Sequence, residues 1–400
     1  TGANNVSVGS GSSFKTTTGD GNTAVGINSL KCNTTADFNV AVGRQAMFTN
    51  TTGTRNSSLG LNAMYSNTTG GCNVAMGGNA LYSNTTAGNN TAIGACALEA
   101  NTTGALNGAF GSSALKANTT GGDNNSFGNQ SLCTNTTGDF NTAMGQAALR
   151  SNTTGSNNTS FGGNSLIANT TGSRNTALGY QSLDANTTAS DITAVGTFAL
   201  GKNTTGPRNT AIGKGAGCEI TTGTDNVLAG KAAGDNITTG ARNMIFGTSS
   251  HPSAANGTDQ SVIGNDVSGK GNDTFTTGGA NGVFNNNNTT AWQQTSDRRI
   301  KKNIVDNTKG LEKIAQIQVR NFEYRTLDEI TDFGENKKAA VVNVKGIQVG
   351  AIAQEIEQIL PELVITQSTG VKTVNPDKLT WYMINAIKEL KAEIELLKKK

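Results

Sequence analysis

Apolar residues recur along most of this chain with a period that fits neither an α-helix nor a single β-strand. A glycine returns every 17 positions, sixteen times, from Gly9, Gly26 and Gly43 to Gly247 and Gly264. The residue before it is apolar in every unit, as in Val8, Val25, Leu59, Met76, Ile93, Phe110 and Ile263. The residue two before is usually Ala or Ser. Four before stands Asn, except where Ile192 and Gln260 intrude. Three after is mostly Ala or Ser, four after mostly Leu or Met (Leu30, Met47, Met64, Leu81, through to Leu200), and an NTTG-like run follows. Each unit reads as a short strand such as NTAVG, a compact corner or single helical turn, and a polar bend.

So strict a period predicts a solenoid and not disorder. Seventeen extended residues span roughly 56 Å, a fair perimeter for one coil with corners. Coils stacked at about 4.8 Å would make a rod of roughly 77 Å. The glycines supply a turn conformation that other residues adopt only at a cost. The Asn four before each glycine is expected to form a ladder that satisfies backbone groups at a corner. About three apolar side chains per coil are expected inside, which falls short of offsetting the entropy of ordering 17 residues. Further burial against copies of the chain is therefore expected, as a homotrimer. The pattern loosens from about residue 205: Gly217 and Gly234 replace Leu, and HPSAAN (251–256) interrupts the coil. Residues 265–295 lose the register and read as a Gly/Asn-rich tip or linker, with Trp292 as an anchor.

Composition narrows the function classes. With 51 Gly, 34% hydrophobic and 5% aromatic residues, the chain lacks the apolar content of one large globular core. A net charge of +3 argues against a nucleic-acid partner. No run of about 18 apolar residues is present, so no membrane insertion is expected, and no secretory leader opens the chain. Starting at Thr1, it reads as a fragment or a processed product. Cys32, Cys72, Cys96, Cys133 and Cys218 form no CxxC pair; free, mostly buried thiols are expected ahead of disulfides or zinc. His251 reads as a loop residue. No cofactor or metal site is expected.

At residue 296 the composition changes. Residues 1–295 hold 13 Lys/Arg and 13 Asp/Glu, whereas residues 296–400 hold 18 and 15. This part reads as a small α+β domain. GLEKIAQIQVRNFEYR (310–325) runs from helix to strand, and AVVNVKGIQVGAIAQEIEQILPEL (340–363) gives a strand or two and a helix stopped by Pro361. VKTVNPDKL leads into a long helix, about 380–400, with Met383, Ile387, Leu390, Ile394 and Leu397 in 4-3-4-3 spacing. Such spacing makes a coiled-coil seam. The expected fold is thus mainly β: a 17-residue-repeat β-solenoid shaft (1–264), the tip or linker (265–295), and an α+β domain ending in a coiled-coil helix (296–400).

The N-x-A-x-G units resemble head repeats of trimeric autotransporter adhesins, although those are usually shorter. They are also similar to shaft repeats of bacteriophage and giant-virus tail fibres. The C-terminal motifs SDRRIKKNI (296–304), VGAIAQEIEQILPELV (349–364) and LTWYMINAIKELKAEIELL (379–397) occur in the order of the endosialidase-type intramolecular chaperone domain, which they resemble. That autoproteolytic module ends phage tailspikes and fibres and occurs in the myelin regulatory factor. Its signature is Ser-Asp with a Lys five residues after the Ser, matched here by Ser296, Asp297 and Lys301. The resemblance implies a Ser296–Lys301 dyad and cleavage of the Ser296–Asp297 bond. A serine hydroxyl needs a base, and a neutral lysine can serve. Working near pH 7 requires the ammonium pKa to fall by about 3 units, roughly 4 kcal/mol. Burial and the neighbouring Arg298, Arg299 and Lys302 push in that direction. On residue types alone, the same six-residue run also reads as a helix cap with a basic turn.

The resulting expectation is a virion fibre or tailspike segment assembled in host cytoplasm, whose shaft meets a host receptor or glycan and whose C-terminal domain aligns three chains before release. Alternatives are a repeat adhesin with an uncleaved trimerisation foot, or a tailspike depolymerase. The last needs paired carboxylates, whereas Glu99, Asp123, Asp184 and Glu219 are scattered in sequence. A Thr ladder binding ice or carbohydrate would have only one regular row, and the NTT triplets, which match glycosylation sequons, are better read as bends. With no membrane span or basic patch, a membrane-anchored transcription factor is set aside.

Overall fold

The computed structural model describes residues 2–278, 283–286, 298, 302–331, 345–366 and 370–399. The chain divides into two compact units, Thr1–Thr295 and Ser296–Lys400.

In the first unit, sixteen three-residue strands, β1 (Val6–Val8) to β16 (Ser261–Ile263), each pair in parallel with the next. The register is constant: Thr23 lies beside Val40, Ala24 beside Ala41 and Val25 beside Val42, one 17-residue step apart. This is the solenoid that the glycine period implies. The last step is shorter, 14 residues from Ser261 to Phe275 in β17 (Thr274–Thr277), and β18 (Val283–Asn286) then pairs with β17 antiparallel. HPSAAN does not interrupt the stack as expected. His251 bridges Ser268 in parallel, and the Ala255 carbonyl accepts the Thr238 N–H at 2.8 Å.

The middle residue of each strand points inward. Ala24, Ala41 and Ala75 are fully buried, as are Ala46, Ala80 and the long side chains Leu30, Met47 and Leu81. The corner after each glycine is not a helical turn. Its second and fourth residues have left-handed backbone, as at Asn79 (φ 57°) and Leu81 (φ 50°). The alternation points peptide groups along the stack. Asn79 N–H donates back to the Leu61 carbonyl (2.9 Å) and Leu81 N–H forward to the Ala97 carbonyl (3.0 Å). For leucine this backbone is strained, yet Leu or Met holds it in eleven coils, from Leu30 to Leu200, at φ 48–54°. Burying that side chain and satisfying the coil-to-coil hydrogen bonds outweigh the strain. At the glycine itself no alternative exists: Gly77 has φ 133°, and a Cβ there would lie 2.6 Å from the Gly94 oxygen.

Two Asn ladders run through the corners. In one, Asn39 N–H donates to Asn22 Oδ1 (3.0 Å) and Asn39 Nδ2 to the Gly53 carbonyl (2.9 Å). In the other, Asn50 Nδ2 donates to Asn33 Oδ1 (3.2 Å) and to that same Gly53 carbonyl (3.0 Å). The first is the ladder expected four before each glycine. The second is formed by the Asn of the NTT triplets from Asn33 to Asn203, whose side chains are buried, so these triplets serve as bends and not as glycan acceptors. The first threonine of these triplets also serves the stack, as Thr68 Oγ1 does toward the Thr85 carbonyl (3.0 Å), while the second, such as Thr69, is exposed.

Near residue 217 the core is rebuilt. Gly217 (φ 58°) and Gly234 (φ 64°) take the strained position without strain. Ile220 and Ile237, fully buried, replace the second-ladder Asn, and the strand centres enlarge to Leu228, Ile245 and Val262. A Cβ on Gly217 would come within 2.6 Å of Leu228 Cδ1, so the enlarged neighbours fill the missing leucine's space. One polar group is stranded by the switch: Asn203 Oδ1, facing Ile220 where the next amide would stand, has no partner.

The second unit contains α1 (Leu311–Ile314), an antiparallel pair β19 (Arg320–Phe322) and β20 (Gln348–Gly350), α2 (Ala353–Ile359), a second antiparallel pair β21 (Val364–Thr366) and β22 (Lys372–Val374), and the long α3 (Pro376–Lys398). Pro361 ends α2, lacking the N–H that another helical turn requires, and starts a 3-10 turn. The small core is Ile356, Leu360, Leu363 and Tyr382, with Ile314, Ile317 and Leu379 against it.

A buried hydroxyl offers a direct test of the coil interior. Where serine occupies both inward positions, the hydroxyls pair: Ser126 with Ser131, and Ser160 with Ser165 at 2.5 Å. Ser58 stands opposite Ala63 and its hydroxyl has no partner. Ser58→Ala is expected to stabilise the shaft by about 1–3 kcal/mol, the cost of an unpaired buried polar group. Ala63→Ser is expected to stabilise it by restoring the pair. Urea or calorimetric unfolding checks both, and destabilisation by each would contradict this account.

Candidate functional site

Ser296, Asp297 and Lys301, the residues singled out for self-cleavage, lie outside the described residues, as do Arg299 and Trp292. The chain immediately downstream is described, and it is tied down. Asn385 Nδ2, on α3, donates to the Asn307 carbonyl (2.8 Å) and the Lys309 carbonyl (3.2 Å). Leu311 N–H donates to Glu389 Oε2 at 2.6 Å. Lys309 Nζ meets Glu362 Oε1 at 2.5 Å, and the Tyr382 hydroxyl donates to that oxygen at 3.0 Å. The segment 307–311, downstream of the signature, is thus held against α3 and the turn after Pro361. The Lys309 hydrogen bond draws the Glu362 carboxyl from its usual 4.5 down to about 2. Burial, followed by the Glu362 contact, pushes the Tyr382 phenol up.

Helix α3 has two apolar faces with different fates. Leu379, Tyr382 and Ala386 pack inward, with Tyr382 at 7% and Ala386 at 4% exposure. The expected seam, Met383, Ile387, Leu390, Ile394 and Leu397, is 42–69% exposed along its length. A second bare apolar file runs along the shaft. The residue before each glycine points outward, and Leu59, Met76, Phe161, Leu178, Ile212 and Phe246 are 39–51% exposed. In that file Phe110 and Phe127 stack at 4.7 Å with ring planes 3° apart. The sequence pattern marked these positions as regularly apolar but did not show that they face solvent.

The rest of the shaft surface is mixed, with exposed Phe38, Leu106 and Phe140 in the file that elsewhere carries charged ladders. Five before the glycine, Arg174, Arg208 and Arg242 alternate with Asp191, Asp225 and Asp259, each Arg Nε 2.6 Å from the Asp one coil on. The arginine hydrogen bonds hold these carboxyls below their usual range. Another file stacks Phe48, Tyr65 and Tyr82 at 5.1 and 5.2 Å, with Lys31 Nζ 5.3 Å from the Phe48 ring centre. The five cysteines are free, as expected, but not buried. Cys72 is exposed and the others are half-buried, because they occupy outward files of the coil. His251 sits in the turn, its Nδ1 3.2 Å from the Pro252 carbonyl.

One concavity, of about 510 Å³, opens on the shaft between Asp184 and Ala232. It brings together Asp184 and Glu219, which are far apart in sequence. Glu219 is held by Lys202 Nζ at 2.7 and 2.8 Å, while burial pushes the Asp184 carboxyl up. One carboxylate clamped by a lysine is not the free pair that glycoside hydrolysis uses. Among the described residues no group of His, Cys, Asp and Glu is placed to hold a metal ion. No described helix is long and apolar enough to cross a membrane.

Residues 296–365 match the family described as the chaperone of endosialidase. The match begins at Ser296, the first residue of the second compact unit. It includes SDRRIKKNI and VGAIAQEIEQILPELV, while the third motif, in α3, lies beyond it. Members of this family are self-cleaving intramolecular chaperones. No curated protein and no solved structure matches the chain.

The clamp below the signature has a defined pH dependence. The folded-state pKa of Glu362 is depressed, so the stability it contributes is present above pH 4.5 and lost as pH falls toward 2. Partial exposure of Lys309 and Glu362 discounts that contribution to about 1 kcal/mol. Glu362→Gln is expected to lower the melting temperature of the C-terminal unit at pH 7 and to flatten its decline in acid. Calorimetry across that range checks it; an unchanged acid limb would show that Glu362 does not carry the effect.

Proposed function

We propose that the chain is a segment of a viral fibre or tailspike, built as a homotrimeric solenoid shaft with a self-releasing chaperone at its C-terminus. The observation that carries this reading is the family match beginning at Ser296, where a repetitive rod meets a compact α/β unit. The two bare apolar files support assembly from several copies, since a contiguous exposed apolar strip on a soluble protein marks an interaction surface. The α3 seam gathers the chains, and the strand-face file gives the shafts a surface along which to close. Identical coils offer many near-equivalent registers, and a domain that fixes the starting register removes those slips. Cleavage then makes the assembled shaft kinetically rather than reversibly stable.

The chemistry constrains the order of events. The carbonyl of the Ser296–Asp297 bond belongs to Ser296 itself, and attack by its own Oγ would close a four-membered ring. In this reading the nucleophile is the Ser296 Oγ of a neighbouring copy, which can reach that carbonyl without ring strain. Lys301 takes its proton and returns it to the departing Asp297 amine, and water hydrolyses the resulting ester. Assembly precedes cleavage. The released shaft presents its outer files to a host surface as part of a virion.

Denaturing mass spectrometry of the wild-type chain is expected to find fragments 1–296 and 297–400 and an intact mass for Ser296→Ala and for Lys301→Ala. In mixed assemblies with wild type, the Ser296→Ala chain is expected to be cut in trans. Polar substitution of Ile387 and Ile394 is expected to slow cleavage at least 10-fold by dispersing the chains. An intact wild-type chain would leave the C-terminal unit as a permanent trimerisation foot.

A further inference from the structure

We infer that the concavity between Asp184 and Ala232 is a binding site for an acidic saccharide, one whose sugar ring carries a carboxylate. The inference rests on reading the shaft as an attachment surface, and it names the ligand class. The site arises where two outward files lose their side chains. The file two after each glycine reads Gln181, Phe198, Gly215, Ala232, and the file five after reads Asp184, Gly201, Cys218. Gly201 and Gly215 leave a trough of about 510 Å³, within the size range of small-ligand sites.

Three features define what fits it. Lys214 and Lys231 stand on the rim in one file, a single coil apart. Most cations nearby have an acid one coil on: Arg174, Arg208 and Arg242 pair with Asp191, Asp225 and Asp259, and Lys202 with Glu219. Lys214 and Lys231 make no ion pair among the described residues. The two occupy the same position of consecutive coils and both line the trough, so one carboxylate there meets two ammonium groups. The second feature is the aromatic wall. Phe198 is the one aromatic residue in a file otherwise made of Asn, Gln, Ser, Gly and other small or polar residues. It adopts left-handed backbone (φ 60°), is 42% exposed, and is braced edge-on by Tyr180 at 5.9 Å. That backbone is the regular one for its position in every coil, and what is particular to Phe198 is the side chain: an exposed ring beside a trough suits the apolar face of a sugar. The third is the opposite rim, where the Asp184 and Glu219 carboxylates accept hydrogen bonds from sugar hydroxyls. An inorganic anion uses the lysines alone, and a neutral sugar uses only the wall and the acids. An acidic sugar uses all three.

The test is calorimetric titration of the full chain with glucuronic, galacturonic and sialic acid oligosaccharides, with their neutral methyl esters, and with inorganic phosphate. At least one acidic saccharide is expected to saturate the site. Esterification, the double variant Lys214→Gln/Lys231→Gln, and Phe198→Asn are each expected to weaken binding at least 10-fold. Asn already occupies the Phe198 position in other coils, at Asn28, Asn62, Asn79 and Asn164, so an unchanged melting temperature is expected for that variant. The absence of saturable binding by every acidic saccharide would overturn the assignment, as would equal affinity for acid and ester. Phosphate binding as tightly as the sugars, with no effect of Phe198→Asn, would reduce the site to an anion contact and also overturn it. The mass of each sample records its cleavage state, so a failure of self-cleavage and a failure of binding are read separately.

Discussion

Everything in the shaft depends on each peptide and amide group finding its partner one coil away. A coil this narrow has no interior large enough to hide unpaired polar groups, and leaving one unpaired costs as much as several ordinary hydrogen bonds contribute. The 17-residue step is the length at which strand, corner and bend all return to the same azimuth. Once it is fixed, the two Asn ladders, the left-handed corners and the inward alanines follow as ways of aligning donors along one axis. Where a residue departs from the pattern, the effect is local and visible, as at Asn203 Oδ1 and Ser58 Oγ.

That logic also explains which parts of the molecule were legible in the sequence. The period, the parallel register and the first Asn ladder follow from Gly9, Asn22, Asn39 and their repeats, because a one-dimensional pattern is enough to specify a stack. Direction was harder to read. An apolar residue before each glycine looks the same whether it faces in or out, and only the three-residue strand centred on Ala fixes it as outward. The same ambiguity misplaced the cysteines. The segment after each glycine read equally as a compact corner or a single helical turn, and the requirement to hydrogen-bond along the stack decides for the corner, with left-handed leucine. The trough is a pattern of absences at Gly201 and Gly215, separated from its charges by whole coils, and sequence reading weighs residues that are present.

In the second unit the balance is reversed. The candidate residues Ser296, Asp297 and Lys301 stand in one short run of sequence, and the described structure supplies the mechanical surroundings of the chain that follows. Lys309, Leu311 and the Asn307 carbonyl are fastened to Glu362, Glu389 and Asn385. The helix that carries the exposed apolar file is therefore also the one that holds the segment downstream of the signature. Those contacts span up to 78 residues of sequence and leave no local motif.

The exchange at Gly217 and Ile220 also has a consequence for how the rod comes together. Eleven coils, Leu30 to Leu200, hold a leucine or methionine in a backbone conformation that it resists, while Gly217 and Gly234 do not. The coils around them carry Leu228, Ile245 and Val262 where the others carry alanine or serine. A ladder of equal rungs has no preferred place to begin. This one has a relaxed end, and it is the end nearer in sequence to the C-terminal unit, so the coils that need no strained leucine are those next to the chaperone-like unit along the chain.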